Sequence, residues 1–247
     1  MDQDRLREAV DKLPPDYIKT MWKYTIDHQA EAKSADNVLP YMPVVPEQYG
    51  VELTASSLVV DVGCLGGYGM FDFVRRRLAD DKPIPRLVGI DIDMTSLSMA
   101  RRMADVWSRE PGVEFMCAKS EHLGVASQSV DIIIARLLLP YVAIRETLDE
   151  FARVIRPGGL MIIQIHTSAY YRQRLLQHPR QITNWIYHIR PLLSGAFFAV
   201  TGRQPAWRRF RETAMTMRHL LALQPLREMV EVWRDSDLQK PLVVLRK

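Results

Sequence analysis

Short apolar runs, each closed by an acid or a turn, recur through the middle of the chain and predict buried strands. They cover Ser57–Val62, Leu87–Ile92, Val113–Ala118, Val130–Arg136 and Gly159–His166. Between them the apolar positions switch to a spacing of three and four. Met70, Phe71, Val74 and Leu78 fall on one face of a helix over about residues 68 to 80. Leu97, Ala100, Met103, Ala104 and Trp107 make the next buried face, which Asp93 or Thr95 can cap. Ile144, Leu148, Phe151 and Ile155 make a third, stopped by Pro157-Gly158-Gly159. Strand and helix in alternation predict a mostly parallel α/β sheet. Two more strands, Glu228–Trp233 and Pro241–Arg246, flank a turn at Asp235-Ser236-Asp237.

Two helices are predicted ahead of this core, within residues 1 to 33. Leu6, Val10 and Leu13 line the first, and Pro14-Pro15 break it. Asp16 can cap the second, on which Tyr17, Met21, Tyr24 and His28 share a stripe. That stripe either packs on the sheet edge or forms a lid over a ligand. Residues 34 to 50 read as a loop. From Ser168 to Leu223 the pattern is helical, with breaks expected at Pro179, Pro191, around Gly195, Gly202 and Pro205. This is an insertion longer than the usual connection. The predicted organisation is a helical lid and linker (1–50), a ligand-binding core (51–166), a helical insertion (167–224) and a closing hairpin (225–247).

The chemistry concentrates at the strand ends. Leu58-Val59-Val60-Asp61 runs into Val62-Gly63-Cys64-Leu65-Gly66-Gly67, and the first core helix follows at once. Strand, glycine-rich turn and helix is the layout of a nucleotide-binding unit, in which glycine lets the backbone approach a ligand. Gly89-Ile90-Asp91-Ile92-Asp93, Ser129-Val130-Asp131-Ile132-Ile133-Ile134 and Arg153-Val154-Ile155-Arg156-Pro157-Gly158-Gly159 follow. In this order and spacing, over about residues 55 to 166, the set resembles a class I S-adenosylmethionine-dependent methyltransferase. The resemblance implies a Rossmann-like fold: a doubly wound, seven-stranded sheet with its last strand antiparallel, with N-terminal helices and the insertion added.

The resemblance also implies a site at the carboxyl ends of the strands, with S-adenosylmethionine as the methyl donor. Gly63 and Gly67 would let the backbone approach the methionine part, with Cys64 and Gly66 completing the turn. Asp61 would hold the loop or the donor ammonium. Asp91 would bind the ribose, and Ile92 would pack on the adenine. Ser120 and Glu121 would line the adenine edge, and the backbone at Arg136 would lie near the donor's amino-acid end. His166, at the end of the fifth strand, and Tyr141 are the catalytic candidates, the imidazole as a base. Tyr24, His28, Tyr170 and Tyr171 are candidates for the acceptor. Two positions depart from the family pattern. Leu65 stands at the middle glycine, and Lys119 where an acid commonly meets the adenine amino group. Glu121 or a backbone carbonyl would then have to accept that bond.

Charge sharpens the reading of the insertion. The chain is +4 overall, yet Thr167 to Leu220 holds nine arginines against one acid, Glu212. Trp185, Tyr187, Phe197, Phe198, Trp207 and Phe210 interleave with them. Three readings stay open: a solvated helical face, a pocket for an anionic or acyl acceptor, or contact with RNA phosphates or a membrane surface. Arg136-Leu137-Leu138-Leu139-Pro140-Tyr141 lacks the Asn/Asp-Pro-Pro-Tyr pattern of enzymes that methylate base amino groups, which argues against a nucleic-acid partner. The expected function is methyl transfer to a small or medium-sized, partly apolar or anionic acceptor. The alternatives are an RNA methyltransferase and a non-catalytic accessory protein. Two cysteines, Cys64 and Cys117, in apolar strand-end contexts read as buried thiols, and they fit a cytoplasmic protein. No metal-ligand spacing of His or Cys appears. Neither a signal region nor an apolar run long enough for a bilayer is evident.

Overall fold

In a computed structural model the chain is described over residues 3–27, 46–107, 113–177, 182–205 and 212–247. Seven strands form one sheet: β1 (Leu58–Val62), β2 (Arg86–Asp91), β3 (Val113–Cys117), β4 (Val130–Arg136), β5 (Ile155–Gln164), β6 (Val230–Arg234) and β7 (Leu242–Arg246). Their order across the sheet is β3-β2-β1-β4-β5-β7-β6. All the pairs from β3 to β5 are parallel, and β7 runs antiparallel to both its neighbours. The strand order therefore reverses between β1 and β4, where a doubly wound sheet opens a crevice.

Each face of the sheet is covered by its own helices. On one face Leu6 and Val10 of α1 (Gln3–Asp11), Ile18, Trp22 and Ile26 of α2 (Tyr17–Asp27), Met70 and Phe73 of α3 (Tyr68–Ala79), and Leu97 and Met103 of α4 (Met94–Trp107) bury against Val59, Ile132 and Ile162. On the other, Leu148 and Phe151 of α5 (Ile144–Val154) and Leu220 of α8 (Met217–Leu221) bury against Val60, Ile133 and Ile163. Alternate residues of one strand serve opposite layers, as the period of two requires.

Ile18, Trp22 and Ile26 are buried on α2. Of the stripe read from the sequence, Met21 is half-buried, and the side chain of Tyr17 lies outside the described residues. Trp22 Nε1–H donates to Gly66 O at 3.0 Å, and its ring lies 5.0 Å from that of Phe71. A Cβ on Gly66 would stand 2.4 Å from Ile18 Cγ2. Glycine there thus serves helix docking as much as ligand approach. The backbone of Tyr24 lies on α2, but its side chain and the whole of His28 lie outside the described residues.

Other expectations shift at element ends. α5 stops at Val154, and Ile155 already pairs with Val130, so the Pro-Gly-Gly segment lies inside an irregular β5 and ends no helix. The insertion supplies α6 (Ser168–Gln177), α7 (Ile182–Thr201) and α8, but residues 212 to 216 are extended, not helical. α7 runs through both Pro191 and Gly195. The extended segment crosses it there: Ala214 N–H donates to Pro191 O at 3.0 Å, and a Cβ on Gly195 would stand 1.8 Å from Ala214 O. The two residues read as helix breakers instead make the groove in which that segment lies. Cys64 is buried as expected, whereas Cys117 is exposed on the edge strand.

Replacing Gly195 by Ala drives a methyl group into the Ala214 carbonyl, and backbone cannot yield as a flexible side chain would. The expected loss, read by urea unfolding, is about 2–3 kcal/mol.

Candidate functional site

The crevice is built from four turns that follow the parallel strands. At the end of β2, Asp91 is buried, and both its oxygens are engaged. Oδ2 accepts the Leu65 N–H at 2.9 Å, and Oδ1 accepts the Asp93 N–H at 2.9 Å. A carboxylate keeps further lone pairs for a ligand hydroxyl. Gly63 and Cys64 N–H both donate to Ile90 O, which locks the glycine turn onto β2. Gly63 and Gly67 have φ of 76° and 75°, a region that favours glycine. Leu65 also sits there, at φ 50°. The turn therefore keeps a glycine-like path despite the leucine, at the steric cost of a left-handed residue. A second left-handed leucine, Leu137 at φ 56°, directly follows β4. Strained residues after both β1 and β4, the strands of the switch point, mark a place where geometry is imposed.

Asp61 and Arg136, from the ends of β1 and β4, form a partly buried ion pair at 3.8 Å. Burial, with the Asp91 carboxylate adding to it, holds the Asp61 carboxyl above its usual range, and Arg136 offsets only part of this. The Arg136 side chain, and not only its backbone, enters the site: its guanidinium lies 5.9 Å from the Tyr68 ring centre and against Gly69, where a Cβ would meet Nη2 at 2.0 Å. Val59, Met70, Phe73 and Leu87 line a narrow apolar cavity under this pair. Cys64 turns its thiol inward, towards Gly89, and away from the crevice mouth. Burial and the two nearby carboxylates hold that thiol strongly protonated.

At the adenine end the residues divide. Ile92 is 65% exposed, an open apolar face beside the crevice. Ser120 turns inward, its hydroxyl 2.9 Å from Thr147 Oγ1. Glu121 accepts from Ser120 Oγ and from the Ala143 N–H, so its carboxylate ties loops together. Lys119 is exposed. Taken together, a strand-end carboxylate, an open apolar face and an opposed Asp–Arg pair fit an adenosyl ligand with a zwitterionic tail.

An aromatic cluster, here termed the chamber, adjoins the crevice. Leu138, whose Cδ1 would stand 3.1 Å from a Cβ on Gly63, leads into Pro140 and Tyr141. Four bonds clamp the insertion onto this loop. Thr213 N–H donates to Pro140 O at 2.7 Å, Gln204 Nε2 to Val142 O at 2.8 Å, Ile144 N–H to Gln204 Oε1 at 2.8 Å, and Arg145 Nε to Gly202 O at 2.9 Å. They bring Glu212 to the chamber wall, where Tyr171 Oη donates to its Oε1 at 2.5 Å and the Tyr141 phenol is close enough to feel its charge. Burial, then the carboxylate, push the Tyr141 and Tyr171 phenols far up, so both remain donors. The His166 and Tyr170 rings stack at 4.0 Å, Tyr171 meets both edge-on, and His188 lies 6.3 Å beyond Tyr171. The fold thus gathers Tyr141, His166, Tyr170 and Tyr171, all singled out in the sequence. Glu212 was visible there only as the lone acid of a basic segment, and its role depends on the clamp.

His166 is 9% exposed, and its Nδ1 has no hydrogen-bond partner among the described residues. Burial brings its pKa down to about 4, aided by Lys240 and Arg174. Both cations also sit over the Tyr170 ring, at 5.5 and 5.3 Å.

Residues 60–163 match the model of a family described as "Methyltransferase domain". Ubiquinone/menaquinone biosynthesis C-methyltransferase UbiE of Campylobacter jejuni is 30% identical over 164 residues, 65% of this chain and 63% of that protein. The chain therefore spans just under two thirds of the length of that curated relative. Geranyl diphosphate C-methyltransferase of Streptomyces coelicolor superposes with a TM-score of 0.57 at 14% identity, over 97% of this chain and 87% of the other. A SAM-dependent methyltransferase of Methanosarcina mazei gives 0.55 at 17% identity, over 83% and 99%. At such identities the superpositions speak for the fold alone.

The imidazole of His166 is harder to protonate in the fold than in the unfolded chain, whose His value is 6.5. The unfolded state therefore takes up more protons between about pH 6.5 and 4, and stability falls as pH drops through that window. Urea midpoints measured across it should flatten in His166→Gln relative to the unaltered chain.

Proposed function

We propose that this chain, with its methyltransferase domain over residues 60–163, is a class I S-adenosylmethionine-dependent methyltransferase that methylates a small or medium-sized, partly apolar acceptor held in the aromatic chamber. When bound, the donor supplies a methyl group on a sulfonium, electrophilic without further activation. The protein's task is then positioning and the exclusion of water. Asp91 takes the ribose hydroxyls on its free lone pairs, and Ile92 covers the adenine. Asp61 and Arg136 offer opposite charges to the ammonium and carboxylate of the methionyl end. Leu138 forms the wall between donor and acceptor.

The relative from Campylobacter jejuni is named for C-methylation in quinone biosynthesis, and an electron-rich ring carbon suits the chamber here. Tyr170, Tyr171 and His166 give such a ring aromatic faces to pack on. As the carbon–methyl bond forms from the ring's π electrons, the sulfur keeps the pair from the bond that breaks. The ring carbon must then release a proton, and Glu212 is the carboxylate placed to accept it, oriented by the hydroxyl of Tyr171. His166, the base expected from the sequence, is less suited. An imidazole with a pKa near 4 gives little driving force for proton transfer near neutrality. In this reading it serves as a neutral stacking wall. The observation that carries the proposal is Glu212 within 2.5 Å of Tyr171 Oη, in a chamber otherwise lined with aromatic rings. Aromatic faces gathered around a single carboxylate suit a small acceptor better than RNA, and the retained turn at Leu65 favours donor binding over an accessory role.

Calorimetry with S-adenosylmethionine should show about ten- to hundredfold weaker binding to Asp91→Ala, and unchanged affinity removes the ribose assignment. In a transfer assay with radiolabelled donor and a prenylated hydroquinone, Glu212→Gln should lower kcat about 10²–10⁴-fold and leave donor affinity alone. Turnover at the unaltered rate removes Glu212 as the base, and labelling of RNA in preference to the hydroquinone overturns the acceptor class.

A further inference from the structure

α7 has two opposed faces. The packed one buries Pro191, Ser194, Gly195 and Phe198 against the crossing segment and the core. The other carries Ile186, Ile189, Leu193, Phe197 and Val200, at spacings of three, four, four and three. Such spacing makes one continuous stripe along the helix, the pattern that ordinarily faces a core. Here those five side chains are between 37 and 87% exposed. Monomeric proteins seldom leave a contiguous apolar stripe in water without a use for it.

The charge carried by the segment that holds the stripe is of one sign. Arg172 and Arg174 on α6, Arg190 on α7 and Arg203 just beyond it are all exposed. From Thr167 to Arg211 the sequence holds no Asp or Glu. Apolar residues along one line with arginines beside them are the composition of a helix lying in a lipid–water interface. No helix among the described residues is long and apolar enough to cross a membrane, so such a helix lies on the surface. We propose that α7 docks the protein on an anionic lipid surface. Ile186, Ile189, Leu193, Phe197 and Val200 enter the headgroup–acyl boundary, and the arginines meet lipid phosphates.

The placement bears on the acceptor. His188 of the same helix faces Tyr171 in the chamber, at 6.3 Å between ring centres. One helix is thus both chamber wall and docking face, so an acceptor with an apolar tail has a short path from the bilayer. This last point rests on the acceptor class proposed above, whereas docking itself does not.

The test is co-sedimentation of the full chain with vesicles of phosphatidylcholine alone and of phosphatidylcholine mixed with phosphatidylglycerol. Binding should be about tenfold or more tighter to the mixed vesicles, and it should weaken with salt. The double variant Leu193→Glu/Phe197→Glu should lose binding by a similar factor with an unchanged melting temperature, because both residues are exposed. Arg190→Glu/Arg203→Glu should lose the preference for the anionic lipid. Equal binding by the apolar double variant overturns the proposal, as does failure of the unaltered chain to bind either vesicle. Sedimentation equilibrium adds a third overturning result: a dimer that Leu193→Glu/Phe197→Glu dissolves assigns the stripe to a second copy. Vesicle binding without transfer to the hydroquinone removes only the acceptor reading, and transfer without vesicle binding removes only docking.

Discussion

The Asp91 carboxylate holds the crevice together. It accepts the Leu65 N–H from the turn after β1 and the Asp93 N–H that starts the turn after β2. Each bond to an ionised acceptor contributes about 1.5–3 kcal/mol. A leucine in left-handed backbone costs about 1–2 kcal/mol. The first quantity covers the second, which is how a turn with Leu65 in place of glycine keeps its shape. Trp22 then fastens onto Gly66, so α2 is registered against the same turn. The donor side of the site and the N-terminal helices are one connected structure.

The aromatic cluster depends on a different kind of contact. Its walls come from β4's loop, β5's end, α6, α7 and the extended segment at Glu212, which no local preference would bring together. Backbone and amide hydrogen bonds from Thr213 and Gln204 to the Pro140–Ile144 loop do so. They leave Glu212 among aromatic rings, where few groups compete for its oxygens. A carboxylate in such surroundings interacts more strongly with its donors than one in water. The cations near Tyr170 act in the opposite sense on His166, keeping a buried imidazole neutral.

The central strands were legible in the sequence because they are buried on both faces. Val130–Arg136 came out with its observed limits, since a run of β-branched residues between a polar turn and an arginine has one reading. The crevice was legible for a related reason: glycines and strand-end acids mark backbone requirements that are local. Packing partners were harder. Nothing local marks Ile18 and Trp22 of α2 as the residues that meet the turn after β1. The missing Cβ of Gly66, more than forty residues on, admits them. Pro191 and Gly195 carried the wrong local message, because their value lies in what crosses them. Cys117 looked buried by composition, but it falls on an edge strand, where one side meets water.

The sequence by itself determined the alternation of strand and helix, the family resemblance, the glycine turn with Asp61 and Asp91, and the basic bias of the insertion. Each of these is written in residue type at short range. Tertiary structure alone decided that Arg136 turns its guanidinium to Asp61, that Glu121 spends its carboxylate on its own loops, and that Glu212 joins Tyr141 and Tyr171. It also decided that the apolar stripe of α7 faces outward. A side chain's partner depends on which distant segment shares its space, and the pattern along one chain does not carry that information.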